Sequence, residues 1–411
     1  MSVRYISGLA FLATSFAVSA AEVQSAMGIF DLLDASRQHP SVQLNQNEEI
    51  VAGYRRDAAR WARYPSFTAD ASAPFGSSDT LTLKLEQPLW TGGRVEASIQ
   101  AAEREVDVSR ARTTEAVDTI QLQVIDAYAE FWRSQAKLAA SYDNVAALDE
   151  LLAVITRRVA QEVSPRTEQV LAEARLQQAL SEREQFSGAV DVAKSLLLQA
   201  TNISVDKVLP LICEIPNDLD RKKFVAEVLQ GSSRLIGLQG EYEVARANVD
   251  VAEAERWPKL VAGVQSNATD GFFSSRDTRA YLGFQYQLVD GLSANARLVA
   301  AQNAVQTVRY QEEVFRQQLT QQVTSFLDDY RMNVAQIPSL SALYRANKDL
   351  IDSYRRQYIV GKKSWLDVIN AQREVSTAQN SLIDSEVNSC AHALRLQVLS
   401  GNEFVKESRV R

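Results

Sequence analysis

The sequence predicts an α+β membrane protein made of two internal repeats, in each of which two strands lead into a pair of very long helices. Three observations support this fold class. The two halves of the chain match each other at a nearly constant offset. Each half contains two stretches of about ten residues that alternate apolar and polar side chains, as strands that cross an outer membrane do. Each half then continues into a long segment with helical periodicity and almost no Pro or Gly.

The internal match holds over about ninety positions at an offset of 199 residues, which chance pairing of Ala and Leu would not readily produce. Equivalent residues include Leu89 and Leu288, Gly92 and Gly291, Val106 and Val305, and Leu151 and Leu350. Tyr64-Pro65 matches Trp257-Pro258 at an offset of 193, so the second half has about six additional residues between its strands. We therefore divide the chain into a leader (1–20), a first repeat (21–205) and a second repeat (206–411).

The first repeat begins with a predicted helix over 45–62, which the Tyr64-Pro65 pair ends because Pro disfavours helix at the preceding residue. A strand hairpin follows over about 64–90, with its turn at 75–79. The helix pair then covers about 94–200, and its first member, 94–160, would be about 100 Å long at 1.5 Å per residue. Its apolar side chains recur every three or four residues and predict a seam for neighbouring helices.

The second repeat follows the same order. It has a predicted helix over 238–256, a strand hairpin over about 257–289 with a loop around 270–273, and a helix pair over about 292–400. Pro338 lies inside the predicted helix 292–358 and should kink it, because Pro removes a backbone hydrogen bond and clashes with the preceding turn. Its counterpart in the first repeat is Ala139, so the two long helices should differ in local path.

The first twenty residues predict export from the cytoplasm. Arg4 precedes an apolar stretch over 6–18, and Val18-Ser19-Ala20 forms a small-residue cleavage site, although an uncleaved anchor is an alternative. No Cys directly follows the apolar stretch, so we expect no lipidated N-terminus. The chain contains only Cys213 and Cys390, for which a single disulfide and two unpaired thiols are both open alternatives.

Composition and motifs argue against several other classes of protein. The net charge of −7, from 44 basic and 51 acidic residues, argues against a nucleic-acid partner. Only two histidines occur, His39 and His392, which excludes a site built from several histidines. The sequence contains no serine-hydrolase elbow, zinc-protease motif, phosphate-binding loop or dinucleotide fingerprint, so we expect neither enzyme activity nor a cofactor.

Four strands per chain predict a barrel that is shared between subunits. In a bilayer, open sheet edges leave backbone groups without partners at several kcal/mol each, so only closed barrels span. Single-chain barrels begin at about eight strands, and therefore neighbouring subunits must complete this one in a closed ring. The alternative is a soluble sheet supported by coiled coil.

Particular motifs make the prediction more specific. Gln87-Pro88-Leu89-Trp90 runs through Gly92-Gly93-Arg94 into the long helix, and Gln287-Leu288-Val289-Asp290-Gly291 follows the same pattern. Tyr358-Ile359-Val360-Gly361-Lys362 leads to Leu366-Asp367-Val368, and a turn precedes Thr167-Glu168. With these motifs and its duplicated order, the whole mature chain resembles the TolC family of outer-membrane efflux and secretion channels.

The resemblance implies a homotrimer in the outer membrane, with a twelve-stranded barrel built from four strands per chain and continued by a large periplasmic tube of helices. Such a channel is a passive exit duct, surrounded by outer-membrane lipid, that docks with a periplasmic adaptor and an inner-membrane ABC or other transporter. Its cargo would be proteins in type I secretion, including large adhesins, or small molecules in efflux. The missing lipidation Cys favours the secretion branch, and a periplasmic coiled-coil scaffold or adaptor is the alternative.

The resemblance also implies a gate at the periplasmic helix tips. It places Asp367 and Asn370 on the pore-lining face, with Glu168 as an acidic partner from the other tip. Family members often carry a second Asp there, so this ring would hold three carboxylates per trimer and prefer cations weakly. The alternative for Asp367 is an ordinary solvated helix residue.

The same match assigns Tyr358, Gly361 and Lys363 to a latch between neighbouring tips. Lys363 would hold less firmly than the Arg common in the family, because it lacks the planar guanidinium. The first repeat has Glu162 where the second has Gly361, and the two tips should therefore not be equivalent.

Two tryptophans mark the predicted edge of the membrane. Trp90 ends a strand and Trp257 precedes one, positions that suit a membrane interface, and packing in a core is the alternative.

Overall fold

The computed structural model describes residues 27–72, 80–213, 215, 219–269, 275–286, 290–401 and 405–406. The predicted leader at 1–20, the turn at 75–79, the loop around 270–273 and the stretch 287–289 lie outside the described residues.

Helices form most of the described chain, and a sheet lies at one end of the long ones. The helices are α1 (Ile29–Ala35), α2 (Pro40–Trp61), α3 (Arg94–Ala160), α4 (Arg166–Thr201), α5 (Arg221–Gly231), α6 (Ser233–Ala254), α7 (Asp290–Ile359) and α8 (Trp365–Ser400). The strands are β1 (Ser66–Ser72), β2 (Thr80–Trp90), β3 (Ile212–Cys213), β4 (Lys259–Thr269), β5 (Ser275–Gln285) and β6 (Val405–Lys406). The four long helices begin and end within two residues of the predicted positions. None of the described helices has an apolar segment long enough to cross a membrane.

The shorter helices begin earlier than the sequence predicted, because their caps lie upstream of the apolar pattern. Helix α2 starts with Pro40 in its first turn, and the His39 ring accepts a hydrogen bond from the backbone N–H of Ser41. Helix α6 starts five residues before the predicted position, after the capping side chain of Ser232. Helices α1 and α5 were not predicted.

The four longer strands form one antiparallel sheet in the order β1-β2-β4-β5, so two hairpins are joined through β2 and β4. Register gives the sheet one apolar and one polar face. Across the apolar face runs the row Phe67, Leu85, Val264 and Ala280; across the polar face runs the row Thr68, Lys84, Gln265 and Arg279. Large side chains of the apolar face are exposed in the single chain, among them Phe67, Leu85, Leu282 and Phe284. Among the described residues, neither β1 nor β5 has a partner on its outer edge.

The polar face carries a hydrogen-bonded cluster. Lys84 pairs with Glu86, and the Tyr281 hydroxyl donates to the Glu86 carboxylate at 2.9 Å. The Tyr281 side chain packs against Gly263, where an added Cβ would lie 2.5 Å from the ring, so the close approach requires glycine. A polar network on this face fits a water-filled interior better than lipid.

The segment between the two halves of the chain is tied to the long helices. A disulfide joins Cys213 of β3 to Cys390 of α8, which decides between the two alternatives that the sequence left open. The Tyr128 hydroxyl of α3 donates to the carbonyl of Leu209 at 2.6 Å, and the Tyr330 hydroxyl of α7 accepts from the nearby Ile215 N–H at 2.7 Å. These contacts fix the segment against helices of both halves.

Helix α7 continues through Pro338. The proline thus removes one backbone donor without ending the helix, and the bend expected there stays a prediction.

Candidate gate at the helix tips

Each long helix pair ends in a tight turn at the far end from the sheet. The first tip (161–165) joins α3 to α4, and the second tip (360–364) joins α7 to α8. In the second tip, Gly361 has a φ of 73°, and its N–H donates to the Tyr358 carbonyl at 3.0 Å. The N–H of Lys362 donates to the Gln357 carbonyl at 2.9 Å. This pair of bonds is a Schellman motif, in which glycine adopts the left-handed conformation without steric cost.

The first tip has the same backbone turn, although Glu162 stands where the second tip has Gly361. Glu162 has a φ of 59° and donates to the Val159 carbonyl at 3.0 Å, while Val163 donates to the Arg158 carbonyl at 2.9 Å. A residue with a side chain is less stable in this conformation than glycine by about 1 kcal/mol or more. The backbone of the first tip is therefore strained, whereas the backbone of the second tip is not. The tips differ in side chains, since Pro165 precedes α4 and Ser364 precedes α8.

Tyr358 connects the two tips within the chain. Its hydroxyl donates to the Glu168 carboxylate at 3.2 Å and lies 3.3 Å from the Ser164 hydroxyl, and both partners belong to the first helix pair. Burial raises the pKa of the Tyr358 hydroxyl, which therefore remains a hydrogen-bond donor at neutral pH. The structure thus brings two of the predicted residues, Tyr358 and Glu168, into direct contact.

Arg158, in the last turn of α3, completes this contact and was not predicted. Its Nε donates to the Ser164 hydroxyl at 3.2 Å, and its Nη1 donates to the Ile359 carbonyl at the end of α7 at 3.3 Å. Its guanidinium carbon lies 4.7 Å from the centre of the Tyr358 ring, within range of a cation–π interaction. We call Arg158, Ser164, Tyr358 and Glu168 the tip circuit. A basic residue in a last helical turn is common, so no pattern in the sequence indicates that Arg158 reaches the other tip.

Beneath the circuit, the two helix pairs share an apolar core. Trp365 is 1% exposed, and its ring centre lies 5.3 Å from that of Tyr358. The same cluster contains Ile155 of α3 and Val368 of α8, both fully buried. The tips of one chain are therefore packed together and not merely adjacent.

Asp367 forms a capping box with Ser364. The Ser364 hydroxyl and N–H both donate to the Asp367 carboxylate, at 2.8 and 3.1 Å, and the Asp367 N–H donates back to the hydroxyl at 3.2 Å. Hydrogen bonds from Ser364, helped by Lys363, lower the pKa of Asp367, so the residue is charged at neutral pH. Its side chain remains 43% exposed, and Asn370 lies one turn further along α8. The spacing Ser364-x-x-Asp367 is the sequence signature that could have indicated this cap.

Lys363 contacts its own helix pair. Its Nζ lies 4.3 Å from the centre of the Tyr354 ring and 3.9 Å from the Asp367 carboxylate. Within the chain, then, Lys363 supports the second tip, and the predicted contact with a neighbouring tip stays a prediction.

The two tryptophans predicted at the membrane edge meet where the sheet joins the helices. Trp90 and Trp257 are 47% and 57% exposed, and their rings form an edge-to-face pair with centres 6.4 Å apart. Gly92 turns the chain from β2 into α3 with a φ of +66°, and a Cβ there would lie 2.8 Å from the Trp257 Cβ. The glycine of this motif therefore permits both the turn and the tryptophan contact.

A sheet with one exposed apolar face, continued by helices about 100 Å long, defines an outer-membrane channel component. The model of the family described as outer membrane efflux protein matches residues 31–202 and 225–402. The chain belongs to this family, which confirms the resemblance to TolC-like channels and the location in the outer membrane. It is a family of channels that serve tripartite export systems and not a family of enzymes.

Individual relatives are distant in sequence and close in fold. The outer membrane efflux protein BepC of Brucella suis is 19% identical over 366 residues, covering 86% of this chain and 78% of BepC. The outer membrane protein VceC of Vibrio cholerae superimposes with a TM-score of 0.80 at 17% identity, covering 92% of this chain and 96% of VceC. The CmeC outer membrane channel of Campylobacter jejuni gives a TM-score of 0.79 at 12% identity, covering 91% of this chain and 85% of CmeC.

Proposed function

We propose that three copies of the chain form one channel, with a twelve-stranded barrel in the outer membrane built from four strands per chain. The observation that carries this proposal is the sheet itself. One face exposes Leu, Val and Phe side chains, the other is polar, and both outer strands have open edges among the described residues. Pairing β5 of one copy with β1 of the next would satisfy both edges and turn the apolar face to lipid.

The channel would act as the passive exit duct of a tripartite export system. The helices α3, α4, α7 and α8 would extend from the barrel into the periplasm as a tube and meet a periplasmic adaptor there. An inner-membrane ABC or other transporter would supply energy, since the chain shows no catalytic motif. Cargo would be proteins in type I secretion, including adhesins, or small molecules in efflux.

The helix tips would close the periplasmic end of the tube. Three copies of Asp367, with Asn370 one turn away and Glu168 nearby, would narrow the pore and favour cations. Tyr358, Gly361 and Lys363 would latch neighbouring tips together: Tyr358 through the tip circuit, Gly361 through the turn that it permits, and Lys363 by contact with a neighbouring tip. The charged state of Asp367 and the Tyr358–Glu168 hydrogen bond support this arrangement.

Migration of outer-membrane fractions on a gel tests the assembly. We expect an unheated sample to run as a trimer and a boiled sample as a 45.6 kDa chain, or slightly less if a leader is removed. A soluble species that runs as a monomer without heating would contradict the shared barrel.

Ion selectivity of reconstituted channels tests the gate. Asp367→Asn should reduce the preference for cations, because it removes three charges from the proposed ring. Ser364→Ala is the matched control: it weakens the same helix cap by about 1 kcal/mol without changing the charge. Equal selectivity of the native channel and Asp367→Asn would remove Asp367 from the pore lining.

Loss of the gene distinguishes the two cargo classes. If small molecules are exported, the deletion strain should become sensitive to several unrelated drugs. If type I secretion is the role, it should instead lose a large protein from the medium.

A further inference from the structure

The boundary between helices and sheet carries the same three-residue pattern in both halves of the chain. Arg63-Tyr64-Pro65 lies between α2 and β1, and Arg256-Trp257-Pro258 lies between α6 and β4. Each proline stops the helix, and each aromatic residue follows an arginine. The pattern therefore sets an arginine and an aromatic side chain where each hairpin leaves the helical part.

The aromatic side chains at this boundary are exposed to an extent that a helical core would not allow. Trp61 is 69% exposed, Tyr64 58%, Trp90 47% and Trp257 57%. Trp61 and Tyr64 are neighbours, with ring centres 5.1 Å apart. The apolar face of the sheet begins directly beyond them, so in the proposed barrel these rings would lie at the level of the lipid headgroups, where Trp and Tyr concentrate.

The chain neutralises these two arginines only in part: the Glu103 carboxylate attracts Arg63 but is bound to Arg60. Both are exposed, and in the described part of the chain neither guanidinium forms an ion pair. Arg60, one turn before Arg63, is by contrast bound to Glu103 at 2.7 Å. An open groove of about 480 Å³ is lined by Arg63, Leu89 and Trp90. One acidic residue, Glu96, also lines this groove, but it lies in the first turn of α3, where the positive end of the helix dipole offsets its charge.

We propose that Arg63 and Arg256 bind the phosphate groups of anionic phospholipids in the periplasmic leaflet of the outer membrane. A guanidinium donates two parallel hydrogen bonds to a phosphate, and the adjacent Tyr or Trp ring packs beside the upper acyl chain. The inference rests on the proposed barrel, whose three copies would present six such arginines around its periplasmic rim. The inference adds to the proposed barrel a preference for anionic lipids, which insertion of a barrel into a membrane does not itself require.

Tryptophan fluorescence in vesicles tests this inference with residues that the chain already has. Trp61, Trp90 and Trp257 lie at the boundary, whereas Trp365 is buried at the tips and Trp132 lies along α3, so bromine atoms on lipids should quench only the first three. The channel is reconstituted in phosphatidylcholine vesicles that contain either brominated phosphatidylglycerol or brominated phosphatidylcholine at equal fractions. The ratio of the two quenching efficiencies reports how strongly anionic lipid is enriched next to the protein.

For the native channel we expect phosphatidylglycerol to be enriched by up to about fivefold per arginine site, the usual effect of one basic residue at a membrane surface. The double variant Arg63→Gln/Arg256→Gln should bring the ratio close to one. The control Arg345→Gln/Arg356→Gln removes the same charge from α7, far from the sheet, and should keep the native ratio.

Two outcomes would overturn the inference and separate it from the proposed function. The arginine sites are rejected if both brominated lipids quench the native channel equally, or if both double variants lose the phosphatidylglycerol enrichment to the same extent. Either result leaves the barrel in the membrane. No quenching of any tryptophan by either lipid rejects the membrane position of the sheet and, with it, the proposed barrel.

Discussion

Replacing Arg158 by Gln tests whether the tip circuit holds the periplasmic end closed. The change removes a cation–π interaction with a buried tyrosine, worth about 1 kcal/mol at a partly exposed site, and a charged hydrogen bond to the Ile359 carbonyl of similar value. Because Arg158 is partly exposed, we expect a net loss of about 1–2 kcal/mol per chain. The ratio of open to closed tips should then rise about 5- to 30-fold per chain.

The measurement is single-channel conductance in planar bilayers, which should show longer or more frequent high-conductance openings for Arg158→Gln. Arg157→Gln is the matched control, because Arg157 is exposed and its substitution removes the same charge from the same helical turn. Tyr358→Phe should give a smaller increase, because it keeps the ring under Arg158 and loses only the hydroxyl contacts with Glu168 and Ser164. If the two arginine variants have the same open fraction, the role of Arg158 is refuted.

Three further changes test the local physics of the fold. Glu162→Gly should raise the midpoint of thermal unfolding, since it relieves about 1 kcal/mol of left-handed strain, and an unchanged or lower midpoint would count against that strain. Replacing Cys213 and Cys390 by Ser opens a disulfide between residues 177 apart and should cost about 2–5 kcal/mol, seen as a lower denaturant midpoint that reductant no longer shifts. Gly92→Ala brings a Cβ to within 2.8 Å of the Trp257 Cβ at a positive φ and should lower trimer yield; normal yield and melting would show that the turn can adapt.

The architecture was largely predictable because its signals are long. A Pro- and Gly-free segment of 67 residues fixes α3 almost to the residue, and the alternation of β2 fixes which side chains share a face. Short elements gave weaker signals. Helix α5 is only 11 residues long and is held by packing on α7 and α8, and β3 is held by pairing with the distant β6 and by the disulfide. Such long-range constraints leave no periodic pattern in the sequence.

At the tips, residue types were easier to predict than contacts. Tyr358 and Glu168 could be singled out by resemblance, and the structure places them 3.2 Å apart. The left-handed conformation of Glu162 was not predicted, because a residue with a side chain rarely adopts what Gly361 adopts without steric cost. The turn is set by backbone hydrogen bonds, which any residue with a backbone N–H can make once it adopts the left-handed conformation. Arg158 was missed because Tyr358 and Ile359, its partners at the other tip, lie about two hundred residues away in the chain.

The polar tip circuit and the apolar core beneath it indicate which part of a single chain can move during opening. The tip circuit is polar and most of it is partly exposed, and the contacts of Arg158 within it are worth about 1–2 kcal/mol. Directly beneath it, Trp365 is packed against Tyr358, and exposing a side chain of that size costs about 4 kcal/mol or more. Breaking the Arg158 contacts while the core stays packed therefore requires less free energy than separating α3 from α8. We infer that opening within a chain is confined to the last turn or two of each helix pair, because the core beneath the tip circuit joins α3 to α8.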